Sequence, residues 1–472
     1  MKIGSRGYSI IKEDYPPSLI KSIREELTVK PYVNTDYGAP PPAFPIYGES
    51  KRKLYLPRFY GINKIGLTDN IQLNNATPID IKFSKSLRPK QLPIIDKYLE
   101  EAKRIGGGII SVPCGYGKTV LALKLIAELK VKTLVIVHKE FLLNQWKERI
   151  EEFLPEANVG RIQGNVIKTK DKDIVIGMLQ SISMKDYKDE VFADFGFVIY
   201  DECHHLGAEV FSKALIKTNF KYLLGLSATP KRADGLSKVF EWYLGPIAYS
   251  IKQRDDTNVD VKVIDYFEED PTYSKMCLNM KQKPNLPIMI NNITNYEPRT
   301  DLIVDQAYKC LLDGRKILIL SDRREHLKTL KYKFDNYPDS TYTSGFYLGG
   351  MKQRDLEETE LCDVILGTFS MASEGFDCKY PLNTIILGSP KSNIEQAVGR
   401  ILRQEKDKIT KVPLVIDIND DFSIFSKQTI KRIKFYKKNK YNIVRYDKEM
   451  NQLEEMSNKK EKKACDLDFL ED

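Results

Sequence analysis

Between positions 107 and 120 the chain reads GGIISVPCGYGKTV. Gly115 and Gly117 permit a backbone tight enough for several N–H groups to face one anion, and the helical pattern LALKLIAEL that follows adds its positive dipole end. Lys118 is placed to reach the β- and γ-phosphates of a nucleoside triphosphate, and the Thr119 hydroxyl to hold Mg²⁺. Pro113, Cys114, Tyr116 and Val120 complete the loop and the helix start. Val112 stands where the pattern has its first glycine, so Pro113 and Gly115 must shape the turn. Further on, Tyr200-Asp201-Glu202-Cys203-His204 brings two adjacent carboxylates to the end of an apolar run. Asp201 can bind the metal, directly or through water, and Glu202 can orient and deprotonate the attacking water. An isolated Asp-Glu pair would read as an acidic turn. One phosphate-loop domain length after Lys118, it reads as the second half of an ATP site.

Such groups need strands to deliver them. From 84 to 250, apolar runs (GIISV, TLVIV, DIVIGM, FVIYD, LLGLSAT) alternate with helical patterns such as EFLLNQWKERIEEF. The runs do not alternate with polar residues, so they predict strands buried on both faces of a parallel sheet. A less regular, Asn- and Pro-containing stretch at 252–297 reads as a linker with an inserted hairpin or lid. The alternation resumes at 298–425 with KILIL, STYTSGFYLGG, DVILGT, TIILGS and LVIDIND, predicting a second α/β domain. Residues 1–80 read as a small β-rich region, in which FPIYGESKRKLYLPRFYG gives a strand, a charged turn and a strand. Two readings stand for it: a cap packed on the next domain, or a nucleic-acid contact through Lys51, Arg52, Lys53 and Arg58 interleaved with Tyr47, Tyr55 and Tyr60. Residues 426–472 read as a solvated basic helix followed by a frayed polar tail.

Composition narrows the class. A chain of 472 residues accommodates two or three cores, and 42% hydrophobic with 29% charged residues excludes wholesale disorder. A net charge of +9 is compatible with a polyanionic partner without demanding one. Seven cysteines without a CxxC pair and four histidines argue against a zinc site and a disulfide framework, and suit a reducing compartment. The start MKIGSRGYSI has no apolar signal core and no run is long enough to cross a bilayer, so a soluble intracellular protein without a membrane partner is expected.

The phosphate loop, the DECH tetrad, Ser227-Ala228-Thr229-Pro230 and Gln396-Ala397-Val398-Gly399-Arg400-Ile401-Leu402-Arg403 follow one another as in superfamily 2 helicases, which roughly residues 84–425 resemble. Within that superfamily the Pro113-Cys114-Gly115 lead-in and Arg232-Ala233-Asp234 look most like the XPB-like branch and the poxvirus-type transcript-release helicases of large DNA viruses. Ala233 stands where the branch's Arg-Glu-Asp motif has its glutamate, so a strand-separating role does not carry over from that motif with the resemblance alone. The N-terminal segment also resembles viral members.

The resemblance implies two RecA-like domains that hydrolyse MgATP to move along or unwind nucleic acid, with DNA favoured and RNA open. It assigns Gln91 to the adenine edge, where an amide can pair with both a donor and an acceptor. Arg400 and Arg403, three apart on one helix face, become arginine fingers on the transferring phosphoryl group. Gln396 would touch nucleotide or attacking water, and Asp377 the nucleotide. Ser227 and Thr229 would couple the ATP site to movement. Lys139, Gln180, Arg232, Arg323 and Thr368 become contacts to the nucleic-acid backbone. Transcription machinery is an implied partner, and cytoplasm, nucleus or virion the implied locations. An RNA helicase, a double-stranded DNA translocase that does not unwind, and a non-enzymatic ATP-dependent clamp remain alternatives. The intact lysine, glutamate and arginines disfavour the clamp.

Overall fold

A computed structural model of the chain describes all residues except 33–41, 114, 205–208, 229–234, 252–257, 339, 375–379, 381, 400–410 and 457–472, and only the backbone of 211 and 372–374. It divides into two units, Met1–Lys252 and Gln253–Asp472.

In the first unit the unbroken apolar runs become strands of an eight-stranded sheet. Its order is Val166–Lys168, Val159–Gln163, Ile174–Met178, Thr133–Val137, Phe197–Tyr200, Tyr222–Ser227, Gly107–Ser111 and Ile247–Ser250. All neighbours are parallel except the first pair. Parallel strands buried on both faces need no polar alternation, which is why Thr133–Val137 and Ile174–Met178 are buried throughout. The register places Ser227 beside Ser111 and Tyr200 beside Gly225. Three adjacent strands therefore end side by side, delivering the phosphate loop, Ser227 and Asp201 to one edge.

The N-terminal region shares this unit. Tyr8, Ile10, Leu54, Leu56 and Phe59 belong to one hydrophobic core with Leu134, Val198 and Leu223 of the large sheet. Gly48–Glu49 and Lys53–Leu56 do form the expected hairpin. The second strand stops at Leu56, however, because Pro57 opens a helix, Arg58–Lys64. The nucleic-acid reading fails for two of its residues. Arg58 is buried and donates to the carbonyls of Phe220 at 3.1 Å, Lys221 at 3.2 Å and Ile105 at 2.8 Å. Tyr60 is buried as well, with its hydroxyl donating to Glu26 at 2.9 Å. Burial pushes the Arg58 guanidinium down to about 10, which leaves it charged at neutral pH. Arg58→Met should destabilise this unit by about 3 kcal/mol, because two buried carbonyls and a partly buried one lose a charged donor. Urea unfolding checks it.

The second unit carries another eight-stranded sheet, ordered Ser344–Tyr347, Val364–Gly367, Ile317–Leu320, Thr384–Leu387, Leu414–Asp420, Asp260–Tyr266, Asn442–Tyr446 and Gln452–Met456. The five runs expected from sequence are all strands of it. Two expectations change. Asp260–Tyr266, inside the presumed linker, pairs with Leu414–Asp420 and Asn442–Tyr446 and lies within the sheet. Its polar residues mask it in sequence, yet Asp265 is held by Arg445 at 2.7 Å. The basic helix Ser423–Lys438 is not merely solvated either. Arg432 is buried and grips Asp417 through three bonds of 2.8 to 3.1 Å, and the Tyr436 hydroxyl donates to the same carboxylate at 2.9 Å. The chain beyond it adds two strands rather than only a tail. His326 is buried against Ser321 at 3.1 Å, and burial pushes its imidazole down to about 3. Among the described residues no helix is long and apolar enough to cross a membrane.

Candidate active site

The phosphate loop follows strand Gly107–Ser111. Val112 is fully buried and its N–H still donates to Ser227 at 3.2 Å, so sheet pairing holds the position where glycine was expected. The turn then runs through Gly115 (φ 75°) and Gly117 (φ 92°), both left-handed. Gly117 caps helix Lys118–Leu129 and has no side chain to occupy the first-turn N–H groups, which leaves them for an anion. Val120 sits in that first turn.

Gln91 is nearly buried behind this loop. Its Oε1 accepts the Arg88 N–H at 2.9 Å and its Nε2 donates to the Tyr116 carbonyl at 3.0 Å. Through these two bonds Gln91 braces the loop between Arg88 and Tyr116. Tyr116 is buried under the Lys90 ammonium, 4.9 Å from its ring. A Cβ on Gly117 would lie 2.6 Å from Gln91 Nε2. Gly117→Ala should therefore lower kcat/KM for ATP by about tenfold or more, given the ~1–2 kcal/mol that left-handed backbone costs a residue with a Cβ. Steady-state ATPase assays check it.

The acidic pair follows strand Phe197–Tyr200. Asp201 continues the ladder, its N–H donating to Ile136 at 3.1 Å, while Glu202 turns left-handed (φ 48°) and donates its N–H to Asp201 Oδ1 at 3.0 Å. The turn aims the Glu202 carboxylate at Lys118, whose Nζ lies 2.6 Å from Oε1. Their side chains are 11% and 14% exposed, so the pair is largely desolvated yet reachable from solvent. His204 Nδ1 lies 3.4 Å from Glu202 Oε2 and 3.1 Å from Ser227 Oγ. The other Asp201 oxygen accepts the Trp146 indole N–H at 2.9 Å. Burial first, and then the Glu202 carboxylate, push the Asp201 carboxyl upward, opposed by Lys118 and the Trp146 N–H. Cys203 is fully buried, and burial pushes its thiol far up, which makes it a packed, unreactive thiol.

Lys118, Thr119, Asp201, Glu202 and Ser227 are thus brought to one edge of one sheet. Sequence reasoning missed Trp146 and the bridging place of His204. The only signal for Trp146 was a tryptophan on the apolar face of EFLLNQWKERIEEF, whose buried N–H must find an acceptor. Lys139 and Gln180 follow neighbouring strands, Lys139 capping helix Glu140–Phe153 and Gln180 exposed on helix Leu179–Met184. In the second unit Thr368 accepts the Met371 N–H at 3.4 Å at the start of helix Phe369–Glu374. Gln396 is half-buried on Glu395–Val398. Arg323, expected on the nucleic-acid backbone, is partly exposed and donates to Asn291 at 2.5 Å and to the Pro287 carbonyl at 3.1 Å, both on helix Leu286–Asn295. Cys114, Thr229, Arg232, Asp377, Arg400 and Arg403 lie outside the described residues.

Two α/β units, the first with a phosphate loop, a lysine–glutamate pair and a strand-end aspartate at one sheet edge, define an ATP-hydrolysing motor of the helicase class. Residues 84–232 match the family model described as "Type III restriction enzyme, res subunit". The chain is 37% identical to the "Putative ATP-dependent RNA helicase" of Acanthamoeba polyphaga mimivirus, over 98% of this chain and 90% of that protein. It is 27% identical to another "Putative ATP-dependent RNA helicase", of African swine fever virus, over 85% of this chain and 82% of the relative. Against a "Putative helicase" of Invertebrate iridescent virus 6 identity is 28%, over 78% and 85% of the two chains. The chain belongs to the superfamily 2 helicases of large DNA viruses and is an ATP hydrolase.

Proposed function

We propose that the protein hydrolyses MgATP through Lys118, Thr119, Asp201 and Glu202, with Gln396, Arg400 and Arg403 of the second unit completing the chemistry, and uses the cycle to translocate on DNA during viral transcription or transcript release. The observation that carries it is the 2.6 Å Lys118–Glu202 pair beside the glycine loop. A triphosphate entering the loop offers Lys118 phosphate oxygens in place of the carboxylate. Glu202, released on one side and still facing His204 on the other, can then take the proton of the attacking water. His204 and Ser227 link that base to the strand leading into the Ser-Ala-Thr element, a direct route from hydrolysis to movement.

The residues fit Mg²⁺. No cluster of three or more His, Cys, Asp or Glu able to hold a metal occurs among the described residues, whereas a Thr119 hydroxyl and an Asp201 carboxylate suit an ion that takes its other ligands from water and phosphate. Bound there, the ion would neutralise phosphate charge.

RNA is the second reading, favoured by the mimivirus and African swine fever virus relatives being described as putative RNA helicases. ATPase assays with double-stranded DNA, single-stranded DNA and RNA across a salt series separate the two. Double-stranded DNA should stimulate most, with stimulation falling steeply as salt rises. Stronger stimulation by RNA would transfer the proposal to the second reading, and no stimulation by any polynucleotide would contradict the motor.

A further inference from the structure

We propose that Trp146 is a positioning residue for the carboxylate of Asp201. The inference rests on Asp201 being the metal-side carboxylate of the ATPase. An aspartate at a strand end can rotate its carboxylate, and an ion held through one or two oxygens requires it not to. Here both oxygens are fixed from the protein side. Oδ1 accepts the N–H of Glu202 at 3.0 Å, and Oδ2 accepts the indole N–H of Trp146 at 2.9 Å. Each oxygen keeps lone-pair capacity beyond the one bond. The indole is itself immobile. It is 1% exposed, on helix Glu140–Phe153, in the same core as Leu142, Leu143 and Ile150. Phenylalanine or leucine could supply that packing, but neither carries the N–H. The apolar face of the helix thus contributes one polar atom to the active site.

The chain has two tryptophans, Trp146 and Trp242. Trp242, packed edge-on against Tyr60 with ring centres 5.4 Å apart, stands outside the ATP site, so Trp242→Phe leaves Trp146 as the sole indole reporter in the full chain. Titrating Mg²⁺ in the presence of ADP should then change the Trp146 emission saturably, and Asp201→Asn should abolish the change. Trp146→Phe should raise the Mg²⁺ concentration for half-maximal ATPase activity by about tenfold or more, the usual effect of losing a bond behind a metal ligand, with a much smaller change in kcat at saturating Mg²⁺. A purely packing role would lower the melting temperature without moving the Mg²⁺ requirement. If Asp201→Asn leaves the Mg²⁺ requirement unchanged, the assignment of Asp201 fails and this inference with it. If Asp201→Asn raises the requirement and a folded Trp146→Phe does not, only the inference is overturned. Should Trp146→Phe not fold, the emission titration decides, and an emission indifferent to Mg²⁺ with ADP overturns the proposal.

Discussion

Lys118→Ala is expected to raise KM for ATP by about a hundredfold, which corresponds to the ~1.5–3 kcal/mol of a hydrogen bond to a charged group. Two effects act together. The phosphates lose their point-charge donor, and Glu202, only 14% exposed and 2.6 Å from Lys118 in the intact site, is left facing them without its cation. The second effect makes a testable signature: in Lys118→Ala/Glu202→Gln the penalty on ATP binding should be smaller than in Lys118→Ala alone, since the uncompensated negative charge is gone. Equilibrium binding of a fluorescent ATP analogue to the two single variants and the double variant gives that coupling directly.

Glu202→Gln is expected to lower kcat for ATP hydrolysis by about 10²–10⁴-fold, the contribution of a positioned general base. It should not weaken ATP binding. In the structure Lys118 is committed to the Glu202 carboxylate, so a triphosphate must compete with that carboxylate for the ammonium. Neutralising residue 202 removes the competitor, and ATP affinity should equal or exceed that of the intact protein. The two variants thus separate, one losing binding and the other losing chemistry.

What the sequence disclosed, and what it hid, follows from how each signal arises. Strands such as Ile174–Met178 and Ile317–Leu320 were legible because both faces of a parallel sheet are buried, which forces unbroken apolar runs. The phosphate loop and the acidic pair were legible because few residue types can do their chemistry. Asp260–Tyr266 was not, since Lys262 and Asp265 break its apolar run and the partner of Asp265, Arg445, lies far along the chain. Arg58 misled for a related reason. In sequence it continues the run of Lys51, Arg52 and Lys53, whereas in the fold it points inward to three backbone carbonyls supplied by distant segments. Trp146 shows the converse, a residue that looks like packing but carries one polar atom to the catalytic edge. Charge and polarity in a sequence say that a partner exists; only the fold says which.

In the proposed mechanism one sheet edge binds ATP through Lys118 and hydrolyses it through Glu202. Single-turnover hydrolysis of radiolabelled ATP, run on the intact protein and on Glu202→Gln with double-stranded DNA present, tests it most directly. Glu202→Gln should retain the labelled ATP at the intact protein's affinity or better and release phosphate at a rate lower by about two orders of magnitude or more. Phosphate release by Glu202→Gln at the intact protein's rate would contradict it.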